Sequence, residues 1–224
     1  MILYHGSKTI IQTPVVGGSH SYNDYGPSFY LTKDLESAKS WACKNDKKGL
    51  VNKYEIRNDA YSKLKILDLT DKTKYSILNW VALLVHFKEL EPLFVEENSD
   101  ALRWLEKYYI NVTTYDVVRG FRADDSYWLF PLDFIRNNLS LEDLEKVYQL
   151  GELGIQYAFM SKRAINLLKF IEVIPCEETF VGRHKQIVKE ANKQYDELSH
   201  KKRDLSKTYI LDLMRKDYEK RWWF

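Results

Sequence analysis

Leu3-Tyr4-His5-Gly6-Ser7 comes first, and Tyr25-Gly26-Pro27-Ser28-Phe29-Tyr30-Leu31-Thr32 answers it further along the chain. The first stretch reads as a short strand ending in His-Gly. The second reads as a turn at Gly26-Pro27 running into the strand Phe29-Tyr30-Leu31. Together they suggest a cradle for a flat aromatic amide. Such a ligand needs a close backbone approach, which Gly6 permits because it has no Cβ. It needs an aromatic face, which Tyr30 offers. A neighbouring hydroxyl needs a polar partner, and a neutral His5 imidazole is one. The His-Gly pair alone fits a core-edge histidine and a turn glycine equally well; the second motif, in this order, favours the cradle.

Around these motifs the chain alternates between strand and helix without a regular β-α repeat. Thr13 to Tyr25 is rich in Gly, Ser and Asn and reads as a loop, placed to act as a lid. Thr32 is expected to cap a helix with Leu35, Ala38, Trp41 and Ala42 on its apolar stripe. Strands are expected over Asn52 to Ile56, Leu64 to Leu69, Tyr115 to Val118, Ile155 to Phe159 and Phe170 to Ile174. Helices are expected over Lys74 to Leu90, stopping at Pro92, and from Ser99 to Tyr109. Ser140 with Asp143 forms a capping box, and Ser161 caps a helix through Ile165 to Lys169. The pattern is α+β.

After Pro175 the composition shifts to charged helix formers. Ile187, Ala191, Leu198, Leu205, Tyr209 and Leu213 make an incomplete stripe, interrupted at Gln194 and Lys201, so a coiled coil is weakly encoded. A helix or helix pair folded back on the body is the preferred reading, and a partner-binding arm the alternative. Trp222-Trp223-Phe224 forms an aromatic end.

The chain has 224 residues, 45 % hydrophobic and 29 % charged, with a net charge of +2. That balance fits a globular protein and gives no whole-molecule argument for nucleic acid. Cys43 and Cys176 lie far apart without metal spacing, and His20, His86, His184 and His200 form no ligand pattern, so no metal is expected. The absence of a charged n-region with a long apolar run, and the shortness of Trp80 to Phe87, point to a cytoplasmic protein with no membrane partner.

With these residues in view, the chain resembles the ADP-ribosyltransferase superfamily, in its diphtheria-toxin and poly(ADP-ribose) polymerase branch with a His-Tyr-Glu triad. It is most similar to a bacterial family of originally unknown function whose members begin "LYHGS", continue "NDFGKGFYLT" and then carry "A..WA". The matching residues are Leu3 to Ser7, Asn23 to Thr32, Ala38 and Trp41-Ala42. Asp116-Val117-Val118 with Ala123-Asp124-Asp125, and Gln156 to Phe159 before Ser161, match more loosely. The likeness spans residues 1–175, with a helical insertion at about 73–111, and leaves residues 176–224 as a charged helical extension.

The resemblance implies two small packed β-sheets around a cleft that takes NAD as substrate. It implies transfer of ADP-ribose to a macromolecule with release of nicotinamide, in the setting of bacterial toxin–antitoxin or anti-phage systems. His5 would bond the nicotinamide ribose and Gly6 the carboxamide, with Ser7 alongside. Tyr30 would stack on the nicotinamide, and Ser37 or Trp41 would add a contact. Gln156 falls where the branch has its catalytic glutamate. A glutamine holds a hydroxyl but brings no charge, and losing an electrostatic stabiliser costs about 2–4 kcal/mol of barrier.

Three readings stay open. Gln156 suffices for a slow or mono-transferring enzyme, or Asp124, Asp125 or Glu152 reaches the ribose, or NAD is bound without turnover. NAD hydrolysis is a further alternative. Asp124 and Asp125 are candidates to orient an acceptor or bind a metal, and a turn explains them equally well; Arg119 and Arg122 are candidates for the diphosphate or a nucleic-acid backbone. Protein, DNA and RNA remain open as acceptors, and the C-terminal helices are the candidate surface for an antitoxin or other partner.

Overall fold

Alternation along three short runs decides the centre of the structure. The computed structural model describes residues 1–44, 49–123, 127–150, 154–199 and 202–221. Strand β1 (Ile2–Ser7) pairs antiparallel along its whole length with β3 (Leu50–Glu55). Between them in the chain come β2 (Phe29–Thr32) and helix α1 (Leu35–Ala42). The first crossover continues through α2 (Asn58–Tyr61) to β4 (Ile66–Asp68). Helices α3 (Ile77–Phe87), α4 (Pro92–Glu97) and α5 (Ser99–Leu105) then precede β5 (Val117–Phe121). Next come α6 (Leu129–Ile135), α7 (Leu141–Leu150), β6 (Ile155–Phe159), α8 (Lys162–Ile165) and β7 (Lys169–Pro175). Two helices close the order, α9 (Arg183–Ser199) and α10 (Ile210–Arg221).

The strands form one seven-stranded sheet in the order β4-β5-β6-β2-β1-β3-β7, not two packed sheets. Only β4 and β5 run parallel; the other described ladders are antiparallel. The expectation of two sheets nevertheless has a physical counterpart. A four-strand half and a three-strand half join through β1 and β2, whose ladder consists of the single pair Tyr4 and Thr32. Beyond Tyr4 the β2-facing edge of β1 is unzipped, and the sheet opens there.

The period-2 alternation of β2 and β6 sends Phe29, Leu31, Tyr157 and Phe159 into one core with Leu3 and Tyr54. Ala158 faces the other side with Val118, beneath Trp80, Leu83 and Leu84 of α3 and Phe130 and Phe134 of α6. Tyr30, Thr32 and Gln156 share that second face by register, since Tyr30 opposes Ala158 and Thr32 opposes Gln156.

Several boundaries differ from the sequence expectation for local reasons. The residue capping α1 is Asp34, which accepts from the Glu36 N–H at 2.9 Å; Thr32 instead accepts from the Asp34 N–H. Ser140 and Asp143 do form their capping pair, with the Asp143 N–H donating to Ser140 Oγ at 3.1 Å. Ser161 caps only a single turn, α8, because the chain must re-enter the sheet at Lys169. The helix expected from Ser99 ends at Leu105 and tightens into a 3-10 turn at Glu106–Tyr108.

The tail is a helix pair folded back on the body. Tyr195 of α9 donates to Asp133 Oδ2 at 2.6 Å and sets its ring edge-on to Phe130. On α10, Ile210 is fully buried, and Asp217 accepts from the Trp104 indole and pairs with Lys107. Leu205, expected on the apolar stripe, is 88 % exposed between the two helices. The Trp222 to Phe224 end lies outside the described residues. Among the described residues no helix is long and apolar enough to cross a membrane.

Candidate functional site

The opening between β1 and β2 is filled by a side chain. His5 Nδ1 lies 2.7 Å from the Tyr30 carbonyl oxygen, in the place a ladder bond would occupy. A carbonyl only accepts, so Nδ1 carries the proton and donates, and in the neutral ring Nε2 is left as an acceptor. The imidazole stacks on Phe29 at 4.5 Å, and burial pushes its pKa below the ordinary value of 6.5. His5 is therefore neutral at physiological pH.

A cleft of about 470 Å3 opens beside this histidine, lined by His5 and Gly6 of β1, Tyr30 of β2, Trp41 of α1 and Gln156 of β6. The Tyr30 hydroxyl is tied back into the preceding turn. It donates to the Gly26 carbonyl at 2.7 Å and accepts from the Tyr25 N–H at 3.0 Å. Gly26 adopts φ of +76°, a conformation that favours glycine, and a Cβ there would strike the Phe87 ring at 2.6 Å. The turn thus fixes the tyrosine ring as a cleft wall and keeps its hydroxyl away from proton chemistry, with a pKa pushed far up by burial.

Gly6 needs a different explanation from the one its motif suggests. A Cβ at Gly6 would meet the Ala38 carbonyl oxygen at 2.2 Å and the Ala42 nitrogen at 2.8 Å. Its glycine character is demanded by the close approach of α1 to β1, whatever its backbone does in the cleft.

The other expected residues divide. Trp41 is at the rim, 37 % exposed, with the Arg122 guanidinium over its ring at 4.2 Å and Lys44 at 4.6 Å. Arg122 lines the cleft. Arg119 does not: it pairs with Asp68 at 2.6 Å and sits over Tyr157. Arg119 lies within β5 and Arg122 just past its end, so the two arginines part company. Ser37 is likewise outside the lining, its hydroxyl donating to the capping Asp34 at 2.8 Å. Ser7 accepts from the Thr9 N–H and lies in a side groove with Lys8 and Trp41. Asp124, Asp125 and Glu152 lie outside the described residues. Among the described residues no group of three or more His, Cys, Asp or Glu side chains converges as a metal site would require.

Sequence reasoning missed Asp24. It lies inside the second motif, flanked by turn formers, and reads as one more polar loop residue. In the structure it is buried and lines the cleft beside Gln156. Asp24 Oδ2 accepts from the Ala123 N–H at 2.8 Å and from Gln156 Nε2 at 2.7 Å, and Oδ1 pairs with Lys88 at 3.2 Å. Burial pushes its carboxyl above the ordinary carboxylate range, against the pull of Lys88 and the two N–H donors. All three partners donate, so the ionised form satisfies the site. The only sequence signal was an acidic residue between Asn23 and Tyr25 in a motif otherwise built for a turn.

The loop before this motif is anchored. Ser19 Oγ accepts from the Ser28 N–H at 3.0 Å and donates to the Ser28 carbonyl at 2.7 Å, which holds His20 and Tyr22 along the cleft.

Residues 1–170 match the family described as "Protein of unknown function (DUF3990)", and the chain belongs to that family. No curated protein and no solved structure matches the chain.

Proposed function

We propose that the cleft binds NAD and that the protein is an ADP-ribosyltransferase, moving ADP-ribose to a macromolecular acceptor and releasing nicotinamide. One observation carries this reading. His5, Tyr30 and Gln156 come from distant parts of the chain, and they line a single cleft where the sheet unzips. In the proposed complex His5 Nε2 accepts a hydrogen bond from a ribose hydroxyl of the nicotinamide nucleoside. The Tyr30 ring faces the nicotinamide, and the Gly6 backbone meets the carboxamide. Gln156 accepts from the second ribose hydroxyl. Arg122 brings positive charge to the cleft, suited to a diphosphate.

Chemically, the glycosidic bond between ribose C1′ and the nicotinamide nitrogen breaks, and its electron pair neutralises the pyridinium. The acceptor's nucleophile then bonds to C1′ and loses its proton. Gln156 lends its uncharged amide oxygen to the developing positive charge, with the Asp24 carboxylate behind it.

The test is incubation of the protein with NAD labelled in its adenylate half, alone and with a cell lysate. Label on a macromolecule with free nicotinamide supports transfer, and His5→Ala abolishes it. Free ADP-ribose with no labelled macromolecule assigns hydrolysis instead. Binding of NAD without nicotinamide release would sink the enzyme reading.

A further inference from the structure

We propose that Asp24 is a positioning residue for Gln156, holding the amide so that only its acceptor oxygen faces the cleft. The inference rests on reading the cleft as an NAD site. A side-chain amide has two faces, a donor and an acceptor, and which one meets a ligand depends on what holds the other. Gln156 Nε2 donates to Asp24 Oδ2 at 2.7 Å and to the Phe121 carbonyl at 3.3 Å. Both partners only accept when Asp24 is ionised, so the flipped amide would set oxygen against oxygen. Oε1 accepts from none of the described residues, and it is not a buried orphan; among those residues only Ser40 Oγ and Arg119 Nε are. It is therefore open to the cleft that Gln156 lines. Lys88 pairs with Asp24 Oδ1 and favours its charged form against burial, and the Ala123 N–H fixes the carboxylate's rotation. Two further donors, Tyr25 Oη and Trp80 Nε1, converge on the Phe121 carbonyl and fix it as the second anchor.

This geometry makes Gln156→Glu informative. In that variant an ionised glutamate would face the Asp24 carboxylate across the 2.7 Å now spanned by a donated hydrogen bond. Two carboxylates so placed do not both ionise, and one keeps a proton. The protonated form of the new side chain copies glutamine: its O–H donates to Asp24 and its carbonyl faces the cleft. Activity of Q156E then falls as pH rises and the shared proton leaves. Among the described residues the other groups facing this pair are Lys88, Tyr25, Tyr30 and Arg122. His5 and His20 also line the cleft and are present in both proteins, so the comparison is with the wild-type profile.

The experiment measures nicotinamide release from NAD by the full chain across pH, with kcat and KM separated. Expected are a Q156E kcat that declines toward alkaline pH relative to wild type, and an Asp24→Ala kcat reduced roughly 100-fold, as a mispositioned group costs. Asp24→Asn restores part of that loss, because its carbonyl still accepts from Gln156 and Ala123. A Q156E enzyme that equals or exceeds wild type throughout the alkaline range overturns the proposal, as does wild-type kcat in Asp24→Ala. The Gln156 side-chain amide also reports directly by nitrogen-15 NMR of the full chain. Its protons are slow to exchange in wild type, shifted in Asp24→Asn and fast in Asp24→Ala; an unchanged signal in Asp24→Ala overturns the positioning role. Should wild type release no nicotinamide, the enzyme reading fails, and the NMR result still decides the role of Asp24.

Discussion

Gly6→Ala puts a methyl group where the backbone of α1 already lies. The added Cβ would be 2.2 Å from the Ala38 carbonyl oxygen, and ordinary contact begins at 3.4 Å, so the helix must retreat by 1.2 Å. Both the oxygen and the Ala42 nitrogen at 2.8 Å are backbone atoms, so no side chain can swing away to absorb the change. Overpacking of this kind costs about 1–3 kcal/mol, and a backbone clash belongs at the top of that range. Restricting the unfolded chain returns at most about 1 kcal/mol, so the clash wins. A net loss of about 2 kcal/mol lowers the melting temperature of a chain this long by about 4–8 °C. Urea unfolding of wild type, Gly6→Ala and Gly18→Ala measures it. Gly18 is the control, since its Cβ would meet only the flexible Val15 side chain at 3.3 Å and the Val15 carbonyl oxygen at an ordinary 3.7 Å. A Gly6→Ala midpoint equal to that of Gly18→Ala would refute the packing of α1 on β1. Because α1 also carries Trp41 and Ala38 into the cleft, loss of activity in Gly6→Ala would not by itself argue for ligand contact.

Burial lowers the His5 pKa, so the folded state binds this proton less readily than the unfolded chain does. The stability His5 contributes is complete above its ordinary value of 6.5 and is lost as pH falls through the lower folded value. Unfolding free energy measured between about pH 5 and 7 should fall toward acid, and His5→Gln should flatten that slope; equal slopes would refute a neutral, half-buried His5. Ser161→Ala removes the oxygen that accepts from the Ala164 N–H at 3.0 Å and donates to Asp116 at 2.6 Å. It should cost about 1–2 kcal/mol in denaturant unfolding. A change within the error of the measurement would contradict the cap.

Much of the site was legible because its signals are local. His5, Tyr30 and Gln156 each sit on a short strand marked by alternation and turn residues, and Ser140 and Ser161 announce their caps within three positions. What sequence reasoning attached to them by proximity fared differently. Ser37 was expected at the cleft because it follows Tyr30 on the next helix, but its nearest acceptor is its own cap. Arg119 and Arg122 were treated alike, but Arg119 is held within β5 by Asp68 while Arg122, past the strand's end, lies over Trp41.

The chain by itself determined the strands and helices that build the α+β body, since hydrophobic period and capping act over a few residues. Tertiary structure decided what those elements meet. One sheet replaced two because β1 and β2 still share the pair Tyr4 and Thr32. Gly6 is glycine because α1 lies on it, and Asp24 becomes a cleft residue because Ala123, Gln156 and Lys88 arrive from elsewhere in the chain. Such meetings depend on strand order and on packing between segments far apart in the chain, and no local pattern encodes them.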